Sequence, residues 1–213
     1  KKIFACFVDF KKAFDMVSRK ALLYKLLTNK IGGKFYSIVK DMYTDDTIAI
    51  KLNGKITENI SCGKGVRQGD GLSSTLFNIF INDIVEIFNE NDSNPAHIDD
   101  IYLGSLLYAD DLVILSETSK GLQTSLKKLS AYCKTWNIKV NSSKTQIVVF
   151  NSKSDNFGPF KFEDKEISIV HFYKYLGINM HRSGSFHNTI DNLCSKGLKA
   201  IFSMQKSLQS DTY

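Results

Sequence analysis

Apolar residues in this chain gather into short unbroken runs in some places and into stripes at three- and four-residue steps in others, so strands and helices are interleaved. Ile3-Phe4-Ala5-Cys6-Phe7-Val8 is apolar throughout and ends at Asp9, the pattern of a fully buried strand with a carboxylate at its C-terminal end. Ser18 precedes a segment running from Arg19 to about Thr28 in which Leu22, Leu23, Leu26 and Leu27 gather on one face, a capped amphipathic helix. A second helix is expected after Gly32-Gly33. Residues 47–52 and 55–60 flank Asn53-Gly54, the strongest short signal for a hairpin. The apolar stretch 75–88 predicts a helix with Ser73 or Ser74 as N-cap candidate. Residues 103–107 and 112–115 read as two short strands joined at Ala109-Asp110-Asp111. Ser119 is the cap candidate of a helix whose Leu122, Leu126, Leu129, Tyr132, Cys133 and Trp136 form a core stripe. Strands are expected again at 138–140, 146–150, 160–162, 167–170 and 172–179, surface loops at 91–95 and 152–159, and a helix over 188–208.

Composition narrows the class. With 213 residues, 43% hydrophobic and 23% charged, the chain has room for one large core or a domain and a half and no disorder signature. The net charge of +6 is spread along the chain and favours a polyanionic partner. Cys6, Cys62, Cys133 and Cys194 are far apart, with no Cys-x-x-Cys and no histidine at finger-type spacing, so neither a zinc knuckle nor a disulfide framework is indicated. Reduced thiols in an intracellular protein are the expectation, with nucleus and cytoplasm not distinguished. The N-terminal apolar run is too short to span a membrane, is interrupted by Asp9 and lacks a cleavage site. A start at Lys1 without Met predicts a fragment.

The candidate chemistry lies where carboxylates interrupt the apolar runs. Asp110 and Asp111 stand between two strand-like runs, where a charge withdrawn from water costs several kcal/mol, roughly, unless it meets a cation or reaches solvent at a turn. Asp45-Asp46 and Asp99-Asp100 serve as controls: both sit in polar, loop-like surroundings and read as solvated turn carboxylates. An acid pair at a strand turn is by itself more often a plain hairpin turn, and Asp9 alone more often a helix cap. Together, three carboxylates on two strand ends suit Mg²⁺, which takes oxygen ligands and is held by one or two carboxylates plus substrate phosphates. Two such ions, with Mn²⁺ as a second candidate, can clamp an in-line phosphoryl displacement. A third element, Gly63 to Ser74, carries four glycines around Arg67 and Gln68 ahead of a helix N-terminus, where a backbone can pass close to a ligand.

In this order the chain resembles the palm of a reverse transcriptase, most closely that of non-LTR (LINE-type) retrotransposons. Phe7-Val8-Asp9-Phe10-Lys11-Lys12-Ala13-Phe14-Asp15 is similar to the first palm motif, and Gly65-Val66-Arg67-Gln68-Gly69-Asp70-Gly71-Leu72-Ser73 to the nucleotide and template loop. Tyr108-Ala109-Asp110-Asp111 is similar to the catalytic hairpin. Asn141-Ser142-Ser143-Lys144-Thr145 resembles the segment with the palm lysine, Phe172-Tyr173-Lys174-Tyr175-Leu176-Gly177 the primer-grip hairpin, and residues 43–54 a short hairpin insertion. Relatives often carry proline at the positions of Gly71 and Ser74; its absence loosens a loop without removing chemistry.

The resemblance implies an α+β fold, a polymerase palm with an antiparallel sheet and packed helices over residues 1–180. Its fingers would lie upstream, and the start of a helical thumb over 181–213. It implies RNA-templated DNA synthesis from dNTPs on a DNA primer, with an RNA template and an RNA–DNA hybrid as partners. Asp9 and Asp110 would hold the two Mg²⁺ ions and Asp111 would be a second-rank ligand. Phe10, through its backbone, Phe14, Arg67, Gln68 and Gly69 would contact the nucleotide, Phe14 excluding a 2′-hydroxyl. Lys144 would donate a proton to pyrophosphate, and Tyr175, Leu176 and Gly177 would grip the primer. Phe14 has a plain core reading, and a lone lysine such as Lys144 is ordinarily just solvated. Two other readings stay open: a catalytically silent RNA-binding palm, and another polymerase of the same palm, such as an RNA polymerase or a group II intron or retron enzyme.

Overall fold

The computed structural model describes residues 1–67, 69–154 and 156–210. The first apolar run is strand β1 (Ile3–Val8), followed by a single helical turn, α1 (Ala13–Met16). Helix α2 (Arg19–Thr28) starts where expected, with Ser18 Oγ accepting from the Ala21 N–H. Leu22 and Leu26 are fully buried, but Leu27 is exposed and Lys25 takes a core position, so the expected leucine face is only half right. Helix α3 (Gly33–Tyr43) follows the glycine pair. The hairpin around Asn53-Gly54 consists of two separate short ladders, β2 (Thr47–Ile48) with β5 (Ile60–Ser61) and β3 (Lys51–Leu52) with β4 (Lys55–Ile56). Both turn residues have positive φ, as the Asn-Gly pair allows.

Helix α4 (Ser73–Ile81) is not capped by a serine. Ser73 and Ser74 lie inside its first turn, and Asp70 Oδ1 accepts from the Leu72 N–H at 3.0 Å instead. The expected single helix to Phe88 tightens after Ile81 into 3₁₀ geometry over Asn82–Phe88, long for that form. At the junction the Lys25 ammonium donates to the Phe80 carbonyl, 2.5 Å away. Strands β6 (Ala96–Ile98) and β7 (Ile101–Leu103) form a small hairpin turned by Asp99-Asp100, and β8 (Ser105–Tyr108) and β9 (Asp111–Ser116) form the expected carboxylate hairpin. Helix α5 (Ser119–Trp136) is capped one residue early, by Thr118 Oγ1 accepting from the Gly121 N–H.

Strands β10 (Gln146–Phe150), β11 (Phe160–Phe162), β12 (Lys165–Val170), β13 (Phe172–Tyr175) and β14 (Ile178–His181) precede the closing helix α6 (His187–Ser210). Residues 138–140 contribute only an isolated bridge, Phe10 to Val140. The main sheet has the order β11-β12-β10-β1-β9-β8 and is antiparallel except for the β10–β12 pair. Strand β1 is central, so it is covered on both faces. On one face Phe4, Cys6, Val8, Leu112 and Ile114 join the helices in the large core. On the other, Ala5, Phe7, Val113 and Val148 form a small core against Tyr173, Tyr175 and Met180 of the β13–β14 hairpin. Fully burying one such side chain contributes ~1.5–3 kcal/mol. Among the described residues no helix is long and apolar enough to cross a membrane, and the four cysteines are free thiols.

Lys25 fastens three helical segments together. Its side chain is 2% exposed, and Nζ donates to Asp83 Oδ1 at 2.6 Å and to the Tyr132 hydroxyl at 2.7 Å while lying 4.0 Å from the Trp136 ring centroid. Burial pulls its pKa down and Asp83 opposes that. Asp83 is 43% exposed, so its charge can return to water if the lysine is lost. Lys25→Met, which keeps the packing but strands the Phe80 carbonyl, should cost about 1–3 kcal/mol. Lys25→Ala, which also leaves a cavity, should cost more, about 3–5 kcal/mol, by urea unfolding.

Candidate active site

The register of β1 and β9 builds the site. Phe7 pairs with Val113 and Val8 with Leu112, the last rung of the ladder, so Asp9 and Asp111 lie side by side directly beyond it. Strand alternation puts both on the face of Ala5, Phe7 and Val113, the face covered by β13–β14. Asp110 lies beside them on the two-residue turn between Tyr108 and Asp111. Ala109, the other turn residue, has φ 52, a left-handed conformation that costs a non-glycine residue about 1 kcal/mol. Asp9 and Asp110 are half-buried and Asp111 is exposed.

Asp9 is fixed by its backbone. Its N–H donates to Thr145 Oγ1 at 3.2 Å and its carbonyl accepts from the Asn141 N–H at 2.7 Å, while Lys11 N–H donates to the Lys139 carbonyl. Thr145 is 1% exposed. The 139–145 segment therefore clamps the strand end and carries Lys144, which is exposed, on the same turn. Sequence reasoning gave Thr145 and Asn141 no role; a buried hydroxyl beside a carboxylate-bearing strand is recognisable only once the strands are paired.

The three carboxylates lie in one another's fields. Partial withdrawal of its carboxylate from water raises the pKa of Asp111, and the charges of Asp110 and Asp9 raise it further. The Tyr173 phenol is raised by burial and then by Asp9 and Asp111, and that of Tyr175 by burial and Asp111. Tyr173, also unassigned from sequence, stacks on Phe7 with ring centroids 4.3 Å apart. Leu176 and Gly177 form the β13–β14 turn, both with positive φ. Among the described residues no cation is ion-paired with Asp9, Asp110 or Asp111, and no three His, Cys, Asp or Glu side chains close into a metal cage. An open carboxylate group without its own cation suits an ion that completes its shell with water and phosphate.

Phe14 is partly buried and partly open to a cleft. It stacks on Phe77 at 4.3 Å, within the large core, and also lines an open cleft of about 450 Å³ shared with Ser74, Asn78, Tyr108 and Ala109. The Phe10 ring is 6% exposed, which leaves only its backbone for a ligand. The Gly-rich loop is tied to the same turn: Gly65 N–H donates to the Val17 carbonyl and Val66 N–H to the Phe14 carbonyl. Gly65 has φ 87, and a Cβ there would stand 2.9 Å from the Asp15 carbonyl oxygen, so a side chain is excluded twice over. Gly69 is exposed with φ 89, and Gln68 lies outside the described residues.

Asp46 corrects the sequence reading. It is not a solvated turn carboxylate: its side chain is 8% exposed and bridges Arg19 and Arg67. Burial pushes the carboxyl up, but hydrogen bonds from Arg67 and Arg19 outweigh it and hold the pKa below the ordinary value. Asp99 and Asp100 are exposed, as expected.

The family described as reverse transcriptase (RNA-dependent DNA polymerase) matches residues 1–180. The chain is 28% identical over 194 residues to the Retrovirus-related Pol polyprotein from type-1 retrotransposable element R2 of Popillia japonica, covering 87% of this chain and 32% of that protein. It is 27% identical over 198 residues to the RNA-directed DNA polymerase from mobile element jockey of Drosophila melanogaster, covering 88% and 20%. This chain thus spans a third or less of these relatives. The structure of telomerase from Candida tropicalis in complex with a TWJ fragment of telomeric RNA shares the fold, with a TM-score of 0.62 and 14% identity over 87% of this chain and 30% of that one.

The crowding at Asp111 has a signed consequence. Its raised pKa means that the folded chain binds this proton more readily than the unfolded chain, so without divalent metal stability falls as pH rises through the window just above the ordinary Asp range. At lower pH the protonated group carries no penalty. Thermal melts in chelator between about pH 4 and about pH 8 should show Asp111→Asn gaining on the parent as pH rises. Parallel curves would contradict the raised pKa, whose first cause is desolvation and whose second is the charge of Asp110 and Asp9.

Proposed function

Since this chain belongs to the reverse transcriptase family, we propose that residues 1–180 are the palm of an RNA-directed DNA polymerase of non-LTR retrotransposon type, intracellular, with 181–213 beginning the thumb. The observation that supports this is that Asp9 and Asp111 flank the last rung of the β1–β9 ladder, with Asp110 on the adjoining turn and, among the described residues, no cation ion-paired with any of them.

Asp9 and Asp110 would hold two Mg²⁺ ions, or Mn²⁺ in their place, with Asp111 as the outer carboxylate; such ions would supply activation of the primer 3′-hydroxyl and charge neutralisation at the leaving pyrophosphate. The protein's own contribution is placement. The clamp at residues 139–145 fixes Asp9, and the strained Ala109 turn fixes Asp110. The Phe14 ring excludes the ribose 2′-hydroxyl of the incoming nucleotide, a role supported by its stacking on Phe77 and its place in the cleft beside that turn. Arg67, Gln68 and Gly69 approach the nucleotide or template, and Phe10 contributes backbone only. Lys144, exposed next to the Asp9 clamp, protonates pyrophosphate as it leaves. The Tyr175-Leu176-Gly177 turn supports the DNA primer paired to its RNA template, with dNTP as substrate.

Replacing Asp9 or Asp110 by Asn in the full-length protein should abolish dNTP incorporation on an RNA template while leaving the fold and nucleic-acid binding nearly intact. Near-normal incorporation by Asp110→Asn would refute the assignment and leave a binding palm.

Phe14→Val should raise ribonucleotide incorporation relative to deoxynucleotide incorporation, because selectivity built on a clash is lost with the clash. A purely structural Phe14 would lower both efficiencies alike, with a stability loss of about 3–5 kcal/mol expected for truncation to Ala. An unchanged ratio in a folded variant would remove it from the site.

A further inference from the structure

Asp46 divides one carboxylate between two arginines of different character. Oδ2 accepts from Arg19 Nη2 at 2.6 Å and Oδ1 from Arg67 Nη2 at 2.7 Å. Arg19 is 8% exposed and its donors are all engaged: Nε donates to the Gly65 carbonyl at 3.0 Å and Nη1 to the Cys62 carbonyl, with the guanidinium 4.7 Å from the Tyr43 ring centroid. It is the structural member, tying the start of α2 to the Gly-rich loop. Arg67 is 49% exposed. Its recorded hydrogen bonds, to Asp46 and to the Met42 carbonyl at 3.2 Å, are both made by Nη2. Among the described residues Nη1 and Nε have no protein acceptor. The guanidinium is therefore anchored at Nη2, with Nη1 and Nε left as separate donors, in a cleft of about 710 Å³ that also includes Lys64 and Asp15. Two guanidiniums against one buried carboxylate leave a net positive charge there. A confined guanidinium with N–H groups to spare can donate to a phosphate oxygen.

We propose that Asp46 is the positioning residue of this site: it holds Arg67 so that a remaining N–H donor of the guanidinium meets a phosphate, either of the incoming nucleotide or of the template strand. The proposal rests on the reading of Arg67 as a nucleotide or template contact. Its physical basis is preorganisation, since an arginine already confined before binding loses less rotamer freedom when the phosphate arrives. The buried Arg19 makes the arrangement rigid, because it fixes the carboxylate from the opposite side.

The test uses the full-length protein, with Asp46→Asn, Asp46→Glu, Arg67→Ala and the double variant Asp46→Asn/Arg67→Ala. The readouts are KM for dNTP, Kd for an RNA–DNA primer–template, kcat and the melting temperature. Asp46→Asn should raise one of the two constants about three- to tenfold, the factor expected for freeing one ordered side chain, with kcat little changed. A shift in KM identifies the nucleotide phosphate, and a shift in Kd alone identifies the template strand. In the Arg67→Ala background Asp46→Asn should add nothing to that constant. Asp46→Glu keeps the charge and the Arg19 pair but displaces Arg67, so it should shift the same constant at an unchanged melting temperature even if Asp46→Asn unfolds the protein. If Arg67→Ala raises a constant while neither Asp46 variant does, the positioning role is overturned and the contact stands. A full Asp46→Asn effect on the constant in the Arg67→Ala background overturns it as well. If Arg67→Ala changes neither constant, the underlying reading of Arg67 fails.

Discussion

The backbone ladder between β1 and β9 brings together carboxylates that repel one another. Five paired rungs, from Phe4 with Ser116 to Val8 with Leu112, end where Asp9 and Asp111 lie side by side. A slip of one residue would turn Asp111 to the opposite face and break the cluster. The apolar residues of those rungs are what prevent it: Phe4, Cys6 and Val8 belong to the helix-covered core and Ala5 and Phe7 to the hairpin-covered one, so either face opposes a slip. The mutual repulsion at the strand ends is small beside that burial, and divalent cations bound by the aspartates would offset it.

Everything around the site follows from holding that strand end. The 139–145 segment bonds both sides of the Asp9 backbone. The β13–β14 hairpin stacks Tyr173 on Phe7 and closes the second face. The Gly-rich loop is bonded to the Phe14 and Val17 carbonyls, which ties it to the turn that follows Asp9. Lys25 locks the helical layer behind it through Asp83, Tyr132 and the Phe80 carbonyl.

Much of this was legible in the chain because burial writes itself as pattern. The unbroken run 3–8, the paired runs around Asp110, the Asn53-Gly54 turn and the stripe of α5 each appear where the pattern puts them. What pattern could not show is where a polar group is buried by its partners. Asp46 looked like a solvated turn residue because its neighbours in sequence are polar, while its neighbours in space are Arg19 and Arg67, 27 and 21 residues away. Lys25 sits among leucines with nothing in its sequence neighbourhood to mark it, because its aromatic and hydrogen-bonding partners come from residues 80–136. Thr145 contacts Asp9 across 136 residues. Helix starts erred by a residue or two where several Ser and Thr compete for one cap, as at Thr118 and Ser119.

The central claim is that Asp9, Asp110 and Asp111 together bind divalent metal. Mn²⁺ titration followed by electron paramagnetic resonance measures this without any requirement for turnover. Uptake of Mn²⁺ by the parent chain, strengthened by added dNTP and lost in the Asp9→Asn/Asp110→Asn variant, is the predicted result. Equal uptake by that folded variant and the parent would contradict it.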